Sequence, residues 1–514
     1  VSHDPVVADT TRQRDSLEPR FVVPEQEERA QAALERFTAS GRRPNFLVIL
    51  FDDVGWGDFG CYGGGVAVGA ATPHIDRLAR QGTLLTSCYS EPSCTPSRAS
   101  IMTGRLPMRH GLLRPPMYGQ PGGLQGEITL PALLSEAGYA TQAVGKWHMG
   151  ENVVSQPQHV GFDDFYGFLS VSDMYTEWRD PYFFPEIVYS EERTRWVENL
   201  PFNRCFVHGV RGGELENVEE VTIPVLSLLD ERWCEYSLDF IRRMGSAAVA
   251  GNGQSRQPWF LYHCTRGAHF DNYPHERFLG SSPARHPYKD TIVELDDIVG
   301  RLVGELERTG QLENTLVFLS SDNGPEMETW PDAAYSPFRS AKGSTWEGGQ
   351  RVPGIVSWPG MVPADRASDG IFSQMDLFNT FLSLGGAGET IPEDRYIDGV
   401  DQTSFLLDPD GVSNRKYLYY WLTNVFSALR VGEWKFMVAS TSDDDRDCLN
   451  LGGFTGVTQK YSHGRLYNLY LDPKESRSYM IRKLAYIDSF TSGIAAHLSS
   501  FGRYPPKHPI AAMS

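Results

Sequence analysis

The sequence has no apolar run long enough to cross a bilayer. Its longest strand-like run, FLVILF at 46–51, falls far short of the roughly 20 residues a membrane helix requires. It also lacks a surplus of basic charge. With 47 Lys and Arg against 65 Asp and Glu, the formal net charge is −18. No basic stripe stands out, which argues against nucleic acid as a partner and mildly against polyanionic substrates. No repeat period is visible, which excludes solenoid and propeller arrays. Cysteine is scarce, scattered and odd in number, seven in all at 61, 88, 94, 205, 234, 264 and 448. That pattern fits a mostly reduced protein better than a disulfide scaffold. No charged-then-apolar leader opens the chain, although a first residue of Val leaves room for one removed. The expectation is a soluble protein of the cytoplasm or periplasm, with the two left unresolved.

What is present is a chain of 514 residues with 40% hydrophobic, 12% aromatic and 22% charged residues, the make-up of a globular enzyme or binding protein. That length accommodates one large α/β domain with a smaller appendage. After a polar stretch to about residue 24, EQEERAQAALERFTAS reads as a surface helix. From Asn45 the texture changes. NFLVILF runs into Asp52 and Asp53, YATQAV into Lys146 and His148, PWFLYHCT into Arg266 and His269, and TLVFLSS into Asp322 and Asn323. Each is a buried-strand pattern that ends in polar residues. Helical patterns lie between them, clearest in DTIVELDDIVGRLVGELERTG, and FSQMDLFNTFLSLGG is a later one closed by Gly385. Alternating strand and helix predict an α/β fold with a large, mostly parallel mixed sheet flanked by helices.

In such sheets ligands sit outside the carboxyl ends of the strands, so these four termini should converge although they are far apart in sequence. Asp52, Asp53, Asp322 and Asn323 offer only oxygen, which suits a hard cation such as Ca²⁺ or Mg²⁺. Arg98, Lys146, Lys342, His148 and His269 would surround a compact oxyanion with positive charge and proton donors. His74, His110, His263 and His275 default to structural roles. In SRASIMTG, Ser97 or Ser100 is the candidate helix cap.

Cys94 is the odd residue: one thiol beside two hydroxyls, a proline and Arg98, with no CxxC partner. The segment CTPSR at 94–98, followed by ASIMTGRLP, resembles the signature of the type I sulfatases. Resemblance continues in order through PNFLVILFDDVGWGDFGCYGG, TPHIDRLARQG, VGKWHMG, SSDNGP, KGSTWEGGQRVPGIVSWPG, LRVGEWKF and LYNLYLDPKE, over roughly residues 44–475. It implies an alkaline-phosphatase-like catalytic domain at 45–410, preceded by an arm and surface helix at 1–44. A C-terminal α+β subdomain with a small antiparallel sheet is implied at 411–514.

The resemblance also implies the chemistry. A dedicated maturation enzyme oxidises Cys94 to formylglycine, whose hydrate attacks sulfur. Asp52, Asp53, Asp322 and Asn323 hold one divalent cation, Ca²⁺ favoured over Mg²⁺, with the side chain of residue 94 completing the shell. Arg98 orients the hydrate, and Lys146 and Lys342 grip the sulfate. His269 or Lys342 protonates the leaving oxygen, and His148 acts as base on the sulfated hemiacetal to expel sulfate. The expected substrate is a small sulfate ester. An aryl leaving group is expected from the aromatic stretch at 165–189, with Tyr175 and Trp178 setting selectivity, and heavily sulfated polymers should be poor substrates for so acidic a chain. Two alternatives stay open: a phosphonate or phosphate ester hydrolase of the same superfamily, and a non-catalytic sulfate-ester binding protein.

Overall fold

A computed structural model describes residues 11–13, 16–39, 41–116, 119–176, 180, 190–192, 195, 199–200, 202–246, 257–327, 333–441 and 458–511. Its centre is a ten-stranded sheet. From one edge to the other the strands are Arg366–Ser368, Thr83–Leu85, Gly354–Ser357, Thr315–Ser321, Asn45–Phe51, Trp259–Cys264, Ala140–Lys146, Asp164–Phe168, Cys205–Val210 and Glu216–Glu220. The run from Thr315–Ser321 to Asp164–Phe168 is parallel throughout, and antiparallel pairs flank it on both sides. All seven residues of Asn45–Phe51 and of Thr315–Ser321 are buried, as expected of central parallel strands covered on both faces. Each fully buried Leu, Ile or Phe here contributes about 1.5–3 kcal/mol.

Alternate residues face opposite layers. Phe46, Val48 and Leu50 pack with Ala99, Met102, Phe378 and Phe381 on one face. On the other, Leu47, Ile49 and Phe51 pack with Ile292, Leu295 and Val299, residues of the helix Pro287–Arg308 whose apolar spacing predicted it. The helix Asp376–Leu384 ends at Gly385, as its sequence indicated.

Strand register sets up the site. Ser321 lies opposite Phe51, Cys264 opposite both Leu50 and Gly145, and Lys146 opposite Phe168. The carboxyl ends are therefore level, and the polar residues that follow emerge at one height. Gly145 makes this possible, because it has φ +94° and an added Cβ would stand 1.7 Å from the Cys264 carbonyl oxygen.

A separate antiparallel sheet is built from Leu418–Leu422, Val425–Val431, Trp434–Thr441 and Thr458–Asn468. Phe436, Leu429 and Trp421 of this sheet pack against Phe490, Ile494 and Phe501 of the helix Leu484–Arg503. The N-terminal stretch packs against the rest of the chain from Glu18 on. Glu18 and Arg20 are buried, and Phe21 N–H donates to Asn414 O at 2.9 Å. In the helix Pro24–Thr38, Gln26 is buried against Ser404 and Asn414. Among the described residues, no helix is long and apolar enough to cross a membrane, and Cys61, Cys88, Cys94, Cys205, Cys234 and Cys264 are free thiols.

Candidate active site

The level strand ends deliver their side chains into one buried cluster in which Asp52, Asp53, Arg98, Lys146, His148, His269, Asp322, Asn323 and Lys342 are each no more than 3% exposed. Asp52 accepts from Lys146 Nζ at 2.6 Å. Asp53 accepts from Lys342 Nζ at 2.8 Å through Oδ2 and from Asn323 Nδ2 at 2.6 Å through Oδ1. Asp322 Oδ2 accepts from Arg98 Nε at 2.9 Å and forms an ion-pair contact with Nη2 at 2.8 Å. Three carboxylates and three fixed cations therefore alternate, since unpaired charges at this depth would be very costly.

Cys94 is the first residue of the helix Cys94–Thr103, every residue of which is buried. The helix begins earlier than the serines indicated. Ser93 is its flanking residue, Ser97 reaches back to Ser93 O and accepts from Glu91 N–H, and Ser100 binds His110. Pro96 falls inside the first turn, where a missing N–H costs nothing. Gly104, at φ 66°, closes the other end. Cys94 Sγ lies 3.1 Å from His148 Nδ1. Thr95 Oγ1, which has no role in the sequence-based expectation, donates to His148 O at 2.6 Å and pins that residue. Its only signal was its place beside Cys94. Asp53 and His148 both take positive φ, 61° and 57°, a strain of about 1–3 kcal/mol apiece of the kind that collects at functional sites.

Charge states follow from these contacts. Burial pushes Asp52 up to about 8 against the pull of Lys146, and Asp322 and Asp53 add to the rise. Asp53 is held below the usual carboxylate range because the Lys342 ammonium outweighs its burial. Burial, then Lys146 and Arg98, hold His148 well below its usual value. Burial and Lys342 do the same for His269. Burial pushes the Cys94 thiol up, so the site holds a thiol rather than a thiolate. His269 Nδ1 faces the Phe270 carbonyl at 2.6 Å and must be the protonated nitrogen, because a carbonyl only accepts. Nε2 of the neutral ring is then an acceptor, facing Lys342 Nζ at 3.4 Å.

The residues fit a hard cation. Asp52 Oδ1 and Asn323 Oδ1 are buried oxygens with no hydrogen-bond partner, and atoms of Asp52, Asp53 and His269 lie within 4.8 Å of one another. Buried orphan oxygens of this kind are costly unless something such as an ion satisfies them. Asp322 is the member most occupied by protein, by Arg98 on Oδ2 and by Asp53 N–H on Oδ1 at 3.2 Å. A second carboxylate–imidazole group, Glu18, Asp398 and His497, is differently committed. Arg109 Nε donates to Asp398 at 2.8 Å, and Trp421 Nε1 donates to His497 Nε2 at 3.2 Å.

Residues 44–387 match the sulfatase family model, and residues 427–501 match that of the AslA sulfatase C-terminal domain. The chain belongs to the sulfatase family. It is a type I sulfatase of the alkaline phosphatase superfamily, a sulfuric ester hydrolase. The N-acetylgalactosamine-6-sulfatase of Canis lupus familiaris is 34% identical to it over 469 residues, 87% of this chain and 83% of the relative. Arylsulfatase G of the same species is 32% identical, over 85% and 81%. The crystal structure of the PsFucS1 sulfatase from Pseudoalteromonas sp. superposes with a TM-score of 0.91 at 38% identity, covering 98% of this chain and 99% of that one.

His74, His263 and His275 lie outside this cluster and make contacts within the scaffold. His263 bonds Ser237 Oγ at 2.8 Å, the backbone of His74 binds Asp296, and His275 caps a short helical turn. Tyr175, expected over the pocket, is instead 2% exposed and packs against Phe168 and Phe202. Its short helix, Asp173–Thr176, turns it into the core. Trp178 lies outside the described residues.

Proposed function

We propose that this sulfatase hydrolyses the sulfate ester of a sulfated sugar, using formylglycine derived from Cys94 by a maturation enzyme and one divalent cation, Ca²⁺ favoured over Mg²⁺. The observation that carries the reading is the position of Cys94: at a helix start, 3.1 Å from a histidine nitrogen and enclosed by the alternating charges of Asp52, Asp53, Asp322, Arg98, Lys146 and Lys342. Asp52, Asp53, Asp322 and Asn323, with residue 94, would hold the cation. When bound, cation and formylglycine would supply charge neutralisation for sulfate and an oxygen nucleophile of lowered pKa.

The chain's own residues do the rest. Lys146 and Lys342 present ammonium groups to the sulfate oxygens, and Arg98 is fixed by Asp322 and by Lys146 O at 2.9 Å so that its charge cannot drift. His148 Nδ1 faces the side chain of residue 94. A neutral ring there takes a proton from a hydroxyl at that position, the step that releases sulfate. Since His269 Nε2 is an acceptor, it steers Lys342, and Lys342 is the donor to the leaving oxygen. His148→Ala should therefore release about one leaving group per site in a fast burst and then turn over roughly 10²–10⁴-fold more slowly. Quenched-flow kinetics reads this, and a uniform slowing without a burst contradicts the role.

The sugar reading is supported by the substrate named for the dog N-acetylgalactosamine-6-sulfatase. Tyr175, packed in the core, lends the aryl reading no support. On a panel of monosulfated hexoses and amino sugars, phenyl sulfate and the matching phosphate esters, at least one sugar sulfate should exceed phenyl sulfate in kcat/KM by about tenfold or more. Phosphate esters should be slower still. A best substrate that is aryl overturns the sugar reading, and one that is a phosphate ester overturns the sulfate reading. At −18 the chain should disfavour sulfated polymers at low salt, an effect that salt screens beyond roughly 10 Å.

A further inference from the structure

The segment that carries Lys342 is clamped from two sides. On one, Gly343 N–H donates to Pro92 O at 2.6 Å, two residues before Cys94. On the other, the C-terminal sheet reaches in. Lys435, on the strand Trp434–Thr441, is fully buried. Its Nζ donates to Thr345 O at 2.7 Å and to Glu347 Oε1 at 3.1 Å, and it pairs with Glu475 Oε1 at 2.8 Å. Glu475 Oε2 in turn accepts from Glu347 N–H at 2.8 Å. Ser427 gives its only proton to Ala439 O, so Thr345 Oγ1 is the donor in the 2.5 Å contact between the two hydroxyls. Tyr420 OH adds a bond to Glu347 Oε1 at 3.0 Å.

Residues of the C-terminal sheet and of the loop beyond it thus hold both the backbone and the side chains of Thr345 and Glu347, three and five residues past Lys342. Stability alone is a weak reason for such a cluster. A buried ion pair gives little net stability over an apolar replacement, because desolvation offsets the attraction. What it does give is a fixed position, and a displacement of about 1 Å can cost roughly 10²-fold in rate.

We propose that Lys435 is a positioning residue: by gripping Thr345 O and the Glu347–Glu475 pair, it fixes the 342–347 segment and so the point at which Lys342 Nζ meets the sulfate. This rests on the sulfate contact proposed above for Lys342. It gives the C-terminal sheet, whose described residues contribute no side chain to the cluster around Cys94, a part in the reaction.

The test uses full-length matured enzyme as parent, Lys342→Met, Lys435→Met and the double variant. For each, Ki for inorganic sulfate, kcat and KM for 4-nitrophenyl sulfate, and Tm are measured. Lys342→Met should raise the sulfate Ki about 10- to 100-fold, the worth of a charged hydrogen bond. Lys435→Met should raise Ki and KM about tenfold, and the double variant should bind sulfate no worse than Lys342→Met, because the two act through one group. If Lys435→Met does not fold, Lys435→Met with Glu475→Gln removes one charge of each sign and should show the same Ki shift. A lowered Tm with Ki and KM unchanged, or additive effects in the double variant, overturns the proposal while leaving Lys342 in place. An unchanged Ki in Lys342→Met removes the sulfate contact itself, and this proposal with it.

Discussion

Cys94→Ala should be inert, with kcat/KM reduced by roughly 10⁵-fold or more, the scale on which removal of a nucleophile acts. Cys94→Ser should be nearly as poor, although it keeps a hydroxyl in place. A serine sulfate ester has no second hydroxyl on the same carbon to expel it, so water would have to attack sulfur. His148 Nδ1 stands 3.1 Å from the position-94 heteroatom, and it serves the first route and not the second. The fold should survive either change. Cys94 starts its helix without supplying a side-chain cap, and its 3.1 Å contact with His148 Nδ1 is lost without orphaning a charge. Circular dichroism and Tm close to those of the parent would separate lost chemistry from lost structure, and appreciable turnover by Cys94→Ala would remove residue 94 from the mechanism.

Loss of the cation should be nearly as severe. Chelation followed by buffer exchange should cut turnover by roughly 10³-fold or more, since a metal at a developing negative charge contributes several kcal/mol. Added Ca²⁺ should restore it at least as well as Mg²⁺. Asp52→Ala and Asp322→Ala should lose both ion and activity, but they also orphan Lys146 and Arg98, and breaking a buried pair costs about 3–5 kcal/mol. Asn323→Ala is the cleaner variant. Its Oδ1 has no protein partner, and although its Nδ2 bonds to Asp53 Oδ1 and Gly324 O go with it, no buried charge loses its counter-ion, so the loss should appear as weakened metal affinity by elemental analysis rather than as unfolding. Normal turnover by protein shown to be metal-free would contradict the role of the whole oxygen cluster.

Much of this was legible in the sequence because buried parallel strands announce themselves twice, as unbroken apolar runs and as abrupt polar ends. NFLVILF and TLVFLSS coincide with the strands observed, and Asp52, Asp53, Asp322 and Asn323 meet because Phe51 and Ser321 are in register. In SRASIMTG a hydroxyl signals a cap at Ser97 or Ser100, whereas the helix starts at Cys94 after Ser93. Here Ser97 serves the loop before the helix from within its first turn. Tyr175 was misplaced because aromatic content alone does not distinguish a pocket roof from a core.

Lys435 was the hardest to see. In an alternating strand a lysine between Trp434 and Phe436 reads as the solvent face, and only packing against the segment 345–347 buries it. The same holds for Glu18 and Arg20, polar residues in a polar stretch that tertiary contact with the 396–415 region takes out of water.

The most direct measurement is the mass of the peptide containing residue 94, taken on protein of known specific activity. Activity should rise in proportion to the fraction in which the cysteine sulfur has been replaced by an aldehyde oxygen, and fully thiol protein should be inactive. Full activity in a sample whose residue 94 is entirely unmodified cysteine would contradict the account.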